Sequence, residues 1–146
     1  MKKYKKWIAM GVIGFLIFLG FFTGYILQKQ KSSTPLSLIY IPKTEDGTSD
    51  FWSSLISGAR MAASEYGVQL KVVAPKNEQD VKGQVSLLKK AIEQNPDGIL
   101  FSTSSNSAAN KDLKKAKEKG ICITYIDSCT TEELQDLTVA TDNVEA

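Results

Sequence analysis

Short apolar runs alternate with segments of helical periodicity along most of the chain, and this alternation limits the possible folds more than any other feature. The apolar runs read as five β-strands, at residues 36–41, 68–74, 98–103, 121–127 and 137–141. Between the first four, apolar residues recur every three or four positions, which is the spacing of an amphipathic helix. A strand–helix–strand rhythm predicts a parallel sheet with right-handed crossovers and helices on both faces. The predicted fold class is therefore α/β, with a Rossmann-like parallel sheet.

Each of the three predicted helices ends at residues that stop helices. The first begins with an aromatic pair at Phe51 and ends at Gly67, a residue suited to the C-terminal end of a helix. The second carries apolar residues from Val81 to Ile92 and is broken by "NPD" at residues 95–97. The third is lysine-rich and ends at Gly120.

The N-terminal part of the chain predicts a membrane span. Residues 7–27 form an apolar run of 21 residues without a charge, long enough to cross a bilayer core as a helix. Four lysines precede the run and two follow it. The positive-inside rule therefore places the N-terminus in the cytoplasm and the remainder outside.

A cleaved secretory signal is the alternative interpretation of this run. Its apolar region would be shorter and would end at a small-x-small cleavage site, whereas no Ala-x-Ala pattern lies near Leu27. We therefore predict an uncleaved, single-pass signal anchor, although both interpretations export the domain.

The predicted organisation is a cytoplasmic basic segment (1–6), a transmembrane signal anchor (7–27), a polar linker (28–35) and an exported domain (36–146). From Ser32 onward the chain has 12 lysines and arginines against 16 aspartates and glutamates, a net charge of −4. The exported part is thus acidic, and the basic cluster at the N-terminus is explained by the membrane. No nucleic-acid partner is expected.

Ligands of open parallel sheets bind beyond the carboxyl ends of the strands. In this sequence those ends are Lys43 to Asp50, Ala74 to Asn77, Ser102 to Asn106, Asp127 with Ser128, and Asp142 with Asn143. Most of these side chains are short and polar, which suits hydrogen bonding to a neutral ligand rich in hydroxyl groups.

The same strand ends argue against several other functions. The loop after the first strand, "PKTEDGTSD", has one glycine, so it is not the G-x-G-x-x-G loop of dinucleotide enzymes, and no P-loop motif occurs. The third strand ends in Phe101, Ser102 and Thr103, where a phosphorylated receiver would carry an aspartate.

The chain has no histidine, which excludes a cysteine–histidine nucleophile. We expect no cofactor, no metal centre and no catalysis; an exported α/β enzyme is the alternative.

Residues 36–146 resemble the N-terminal lobe of the type I periplasmic sugar-binding proteins, the ribose- and xylose-binding kind. The correspondence runs through "DFWSSLISGARMAASEYGVQLKVV", "PDGILFSTSSNSAANKDLKKAKEKGICITYIDS" and "ATDN". The resemblance implies that one of Phe51 and Trp52 faces a sugar ring while the other packs beside it. It also implies that Asp127 binds sugar hydroxyl groups.

The chain departs from the pattern of this family at several matched positions. Ser102 stands where asparagine is frequent, Ser128 where arginine is frequent, and Ser49 with Asp50 where Asn-Pro is usual. We expect ligand contacts from Asp50, Ser102, Ser128 and Asn143 as well. The departures leave the sugar open, with a monosaccharide such as a pentose expected.

The resemblance implies solute binding outside the cytoplasm, with two possible partners. The protein either delivers sugar to an ABC permease or reports sugar occupancy to a membrane sensor histidine kinase, and an uncleaved anchor favours the sensor. Regulators of the lac-repressor type share this fold, but the chain shows no helix-turn-helix and carries the apolar run.

Periplasmic sugar-binding proteins close two lobes around the ligand. Since the sequence stops at Ala146, we expect one truncated lobe that binds weakly.

Overall fold

The computed structural model describes residues 35–45, 47 and 49–141, together with Phe18 and Gly20. The chain divides into two units, Met1–Thr34 and Pro35–Ala146, and the elements given below all lie in the second. The predicted membrane span lies outside the described residues apart from Phe18 and Gly20. Among the residues that are described, no helix is both long enough and apolar enough to cross a membrane.

Strands and helices alternate as the sequence predicts. They are β1 (Ser37–Ile41), α1 (Asp50–Glu65), β2 (Gln69–Val72), α2 (Val81–Glu93), β3 (Gly98–Phe101), α3 (Asn110–Glu118), β4 (Cys122–Ile126) and β5 (Leu137–Val139). Each of the five strands is one to three residues shorter than the predicted run that contains it. Gly67 follows α1 with a φ of 66°, the left-handed conformation that a glycine adopts readily at a helix end.

The five strands form one parallel sheet in the order β2-β1-β3-β4-β5. β1 is flanked by β2 on one side and by β3 on the other, with Leu38 beside Leu70 of β2 and Gly98 of β3. The chain passes to one side of β1 to form β2 and to the other side to form β3. The loops that follow β1 and β3 therefore diverge, and ligands of open α/β sheets bind in the crevice at such a switch point.

Helices lie on both faces of the sheet, as predicted, but they cover the faces unequally. Successive residues of a strand point to opposite faces, so Ile39 and Ile41 of β1 pack in the main core with α2 and α3. On the other face, α1 lies over Leu38, Leu100 and their neighbours. An apolar groove of about 350 Å³ remains open beside it in the described part of the chain.

Candidate functional site

Two cavities open near the carboxyl ends of the strands. We call the first the polar cavity; it has a volume of about 540 Å³ and is lined by Lys43, Glu78, Gln79, Val81, Thr103, Ser104, Ser105, Asn106 and Ser128. The second, the apolar cavity, has about 450 Å³ and is lined by Phe51, Leu55, Ala59, Ile126, Asp127, Val139, Ala140 and Thr141. The loops after β1, β3 and β4 thus meet at one edge, as the sequence predicts for a parallel sheet.

The adjacent aromatics of α1 have different surroundings. Trp52 is 4% exposed, and its indole Nε1 donates a hydrogen bond to Glu78 Oε1 at 2.5 Å. Phe51 is 52% exposed and lines the apolar cavity. The two rings meet edge to face, with centroids 4.9 Å apart and planes at 83°. Trp52 is therefore the packed member of the pair, and Phe51 is the member whose ring is open to a ligand.

Lys43 and Asp127 form an ion pair across the edge of the sheet. Lys43 Nζ lies 3.3 Å from Asp127 Oδ2, and the side chains are 21% and 36% exposed. The ammonium of Lys43 also lies 5.6 Å from the centroid of the Trp52 ring, within the range of a cation–π contact. Sequence reasoning placed Lys43 in the loop after β1 but did not select it, because its partner is 84 residues away in the chain.

The backbone of Asp127 has an unusual conformation. Its φ is 70°, the left-handed region that most side chains avoid. A hydrogen bond to β5 supports this conformation, since the Asp127 N–H donates to the Val139 carbonyl at 2.9 Å. Aspartate tolerates this conformation better than most residues. Strain of this kind, of order 1 kcal/mol or more, concentrates at functional sites, and here it belongs to the residue that pairs with Lys43.

Ser102 lies at the edge but beneath its surface. The residue is fully buried, and its Oγ shares a hydrogen bond of 3.2 Å with the phenol oxygen of Tyr40. Burial raises the pKa of the Tyr40 phenol, the charge of Asp127 adds to the increase, and the Ser102 hydrogen bond opposes it. In this structure the Ser102 hydroxyl is thus engaged in the interior, below the loop that lines the polar cavity.

The other predicted site residues have separate positions. Ser128 lines the polar cavity, and its Oγ donates to the Thr103 carbonyl at 3.1 Å, which joins the loops after β3 and β4. Asp50 is exposed at the first residue of α1 and lines neither cavity. Asn143 lies outside the described residues.

Gln84 of α2 is a buried residue that supports this edge and that sequence reasoning missed. Its Nε2 donates to the Pro42 carbonyl at 3.1 Å and to the Ser102 carbonyl at 2.8 Å. Its Oε1 accepts from the Ser104 N–H at 2.9 Å. One side chain thereby joins the loops after β1 and β3. A signal was present in the sequence, because Gln84 is a polar residue three positions from Val81 and four from Leu88 on an otherwise apolar helix stripe.

The charges and polar groups of the site suit a neutral ligand. Lys43 is matched by Asp127, and Glu78 adds a further carboxylate beside Trp52. The remaining polar side chains of the polar cavity are hydroxyls and amides. Within the described ranges, no group of three or more acidic or cysteine side chains is arranged to hold a metal ion. Hydroxyl groups of a ligand find both donors and acceptors at this edge.

Comparison with known proteins identifies a family for most of this chain. A family model described as a periplasmic binding protein domain matches residues 40–146. A solved structure of a sugar transporter from Clostridium phytofermentans is 42% identical, with a TM-score of 0.71, over 74% of this chain and 40% of that one. A comparison with curated proteins finds no match.

Two further solved structures were determined with a sugar. The carbohydrate transporter solute binding protein from Agrobacterium radiobacter, in complex with D-arabinose, is 29% identical, with a TM-score of 0.70, over 78% of this chain and 38% of that one. An ABC transporter solute binding protein from Burkholderia graminis, also with D-arabinose, is 27% identical, with a TM-score of 0.69, over 79% and 38%. The chain thus spans about 40% of the length of the solved structures that it matches.

Proposed function

The chain belongs to the periplasmic binding protein family, and on this premise we propose that it binds a small neutral sugar outside the cytoplasmic membrane. The proposed function is binding without chemistry. The resemblance of residues 36–146 to the sugar-binding members of this family was noted from three stretches of the sequence, and the family match over residues 40–146 confirms that assignment.

The observation that carries the proposal is the convergence of three kinds of group at one edge of the sheet. The open ring of Phe51 offers an apolar surface to the C–H face of a sugar. Asp127 and Lys43 offer a charged acceptor and a charged donor 3.3 Å apart. Ser128 and the loop after β3 add neutral hydroxyls. An apolar face surrounded by hydrogen-bonding groups is what a monosaccharide presents to a protein, and this edge is its complement.

The size and charge of the site support a monosaccharide such as a pentose. The cavities of about 450 and 540 Å³ lie in the lower half of the range of about 300–1,000 Å³ for small-molecule sites. The Agrobacterium and Burkholderia proteins, which share 29% and 27% identity with this chain, were both solved with D-arabinose. We therefore place the aldopentoses first among candidate ligands.

Import by an ABC permease is the partner role that we favour. The similar Clostridium protein is described as a sugar transporter, and the Burkholderia protein as a solute binding protein of an ABC transporter. Residues 7–27 would tether the domain to the outer surface of the membrane as an uncleaved anchor. The tether by itself favours the alternative role, a sensor that reports to a histidine kinase. Adjacent genes for a permease and an ATPase, or for a kinase and a response regulator, distinguish the two roles.

Thermal unfolding with sugars tests the proposed function. The full chain, in mild detergent, is heated with D-arabinose, D-ribose, D-xylose, D-allose or D-glucose. A sugar at about 100 times its Kd stabilises the folded state by roughly 2.7 kcal/mol, which raises Tm by several degrees.

Two variants show whether such a shift comes from the proposed site. Phe51→Ala should abolish the shift, whereas Met61→Ala, which removes another exposed apolar side chain of α1, should keep it. If none of these sugars raises the Tm of the wild type, the proposal is wrong.

A further inference from the structure

The side-chain amide of Gln84 lies between the ends of two neighbouring strands. β1 and β3 pair in parallel, and the Ser102 N–H donates to the Ile41 carbonyl at 3.0 Å. Beyond this bond, the Pro42 and Ser102 carbonyls both accept from Gln84 Nε2, at 3.1 and 2.8 Å. The amide of Gln84 therefore bridges the two chains where the strands give way to the loops of the candidate site.

The same amide also reaches the loop that lines the polar cavity. Gln84 Oε1 accepts from the Ser104 N–H at 2.9 Å, so one side chain both donates and accepts as a backbone peptide group does. The adjacent Thr103 carbonyl accepts from Ser128 Oγ at 3.1 Å, which extends the connection to the loop after β4. Gln84 is 2% exposed and lines neither cavity. It can therefore affect a ligand only through these loops.

The first turn of α2 fixes the position of Gln84. Asp80 caps the helix, since its Oδ1 accepts from the Gly83 N–H at 2.9 Å and its carbonyl accepts from the Gln84 N–H at 3.0 Å. A Cβ at Gly83 would overlap with the Asp80 carboxylate, so this cap requires glycine there. With its backbone capped and its side chain buried, Gln84 is in place before any ligand binds.

We propose that Gln84 is a positioning residue for sugar binding, whose amide sets the spacing between the loops after β1 and β3. This inference rests on the proposed function, and it adds a determinant of affinity that does not touch the ligand. Ordering flexible groups on binding lowers affinity, so a site that is ordered in advance binds more tightly. Gln84 orders both loops in the free protein, and the sugar meets a polar cavity that is already formed.

A purely structural role for Gln84 makes a different prediction. A residue that only stabilises the fold changes the folded fraction, and the apparent affinity falls in proportion to that fraction alone. A positioning residue changes the affinity of protein that is fully folded. Leu88 provides the comparison, because it lies one turn further along α2 and is fully buried in the main core. Leu88→Ala should destabilise the fold by leaving a cavity, yet leave the sugar affinity of the folded protein unchanged.

Calorimetric titration of the full chain in mild detergent tests the inference. D-arabinose, D-ribose, D-xylose and D-allose are titrated into the wild type, Gln84→Met and Leu88→Ala, and circular dichroism measures the folded fraction of each sample. Gln84→Met should bind about tenfold more weakly than the wild type, whereas Leu88→Ala should stay within about twofold. If a variant is not fully folded, trimethylamine N-oxide is added to every sample, since it favours the folded state by exclusion from the protein surface.

Gln84→Glu supplies a second readout, because its effect should depend on pH. When protonated, the introduced carboxyl can donate to one carbonyl and accept from the Ser104 N–H; when ionised, it has no donor for the carbonyls of Pro42 and Ser102. Burial raises the pKa of such a carboxyl. The affinity should therefore be near that of the wild type at mildly acidic pH and fall about tenfold as the carboxyl ionises at higher pH. Gln69→Glu, on the exposed surface of β2, makes the same charge change and should match the wild type throughout.

The outcomes separate this inference from the proposed function. If the wild type binds none of the sugars, the proposed function fails and the inference fails with it. If folded Gln84→Met and Gln84→Glu bind sugar as the wild type does at every pH, Gln84 has no positioning role and the proposed function stands. If Leu88→Ala weakens binding as much as Gln84→Met does, general destabilisation explains the loss and the inference is wrong.

Discussion

Phe51 and Trp52 are consecutive residues of α1, yet Trp52 is 4% exposed and Phe51 is 52% exposed, with their rings edge to face at 4.9 Å. Consecutive helix residues point about 100° apart, so one position can lie against the sheet while the next faces the cavity. The structure therefore gives different surroundings to two aromatic residues that the sequence alone does not distinguish. Trp52 is buried at the start of α1, whereas the ring of Phe51 lines the apolar cavity, where we propose that it meets the ligand.

Substitution of the two aromatics should therefore have opposite main effects. Trp52→Ala should lower the free energy of unfolding by about 3–5 kcal/mol, because a buried indole is replaced by a cavity. Phe51→Ala should change it by less than about 1 kcal/mol, because half of the ring is already in water. Urea unfolding of the two variants measures both values. Equal destabilisation would mean that Phe51 is packed as tightly as Trp52.

Gln84 should be important for stability although it is polar. Gln84→Met keeps the approximate volume but leaves the carbonyls of Pro42 and Ser102 and the N–H of Ser104 without their partner. Unsatisfied buried groups cost about 1–3 kcal/mol each when they stay dry, so for these three groups we expect a loss of about 3 kcal/mol or more in urea unfolding. Gln69→Met, on the exposed surface of β2, is the matched control and should lose less than about 0.5 kcal/mol. If Gln84→Met lowers the free energy of unfolding no more than Gln69→Met does, water replaces these hydrogen bonds.

Asp127 should matter for binding more than for folding. Asp127→Asn tolerates the φ of 70° but removes the charge that faces Lys43. We expect its sugar affinity to fall about tenfold or more, while the free energy of unfolding changes by less than about 1 kcal/mol, since the ion pair is partly solvated. Glu93→Gln, at the exposed end of α2, makes the same change in net charge and should bind normally. Unchanged affinity in Asp127→Asn would remove this residue from the site.

The thiol of Cys122 should react with iodoacetamide only at raised pH. Cys122 is exposed as a residue, but partial desolvation of its thiol raises the pKa of that group, and the negative charge of Asp136 raises it further. A thiolate, not a thiol, is the nucleophile. In a Cys129→Ser background the pH midpoint of alkylation should therefore lie above about 8.5, the value of an ordinary cysteine.

Asp136 supplies the control for this prediction. Adding Asp136→Asn to the same background should move the alkylation midpoint to lower pH, because the neighbouring negative charge is removed. If the pH midpoint of alkylation in Cys129→Ser is at or below that of a free cysteine peptide, the predicted increase in the pKa of Cys122 is wrong.

The sequence by itself determined the strands, the helices, the α/β class and the edge at which a ligand would bind. These follow from local patterns: apolar spacing sets helix or strand, and the direction of a parallel sheet sets which strand ends meet. Asp127 and Ser128 were predicted in this way, because they directly follow a strand that the pattern defines, whereas the ligand role of Phe51 was implied by the resemblance to the binding-protein family. The buried position of Ser102 was not foreseen, since its neighbour Tyr40 lies 62 residues earlier.

Only the tertiary structure decided which strands are neighbours and which side chains meet. The order β2-β1-β3-β4-β5 places the loops after β1 and β3 side by side, and Gln84 joins them. The pairing of Lys43 with Asp127 depends on β1, β3 and β4 lying in register, which no local pattern encodes. Burial and pairing are properties of residues distant in the chain. For that reason, the sequence predicted the edge at which a ligand would bind, whereas the fold decided which side chains meet there.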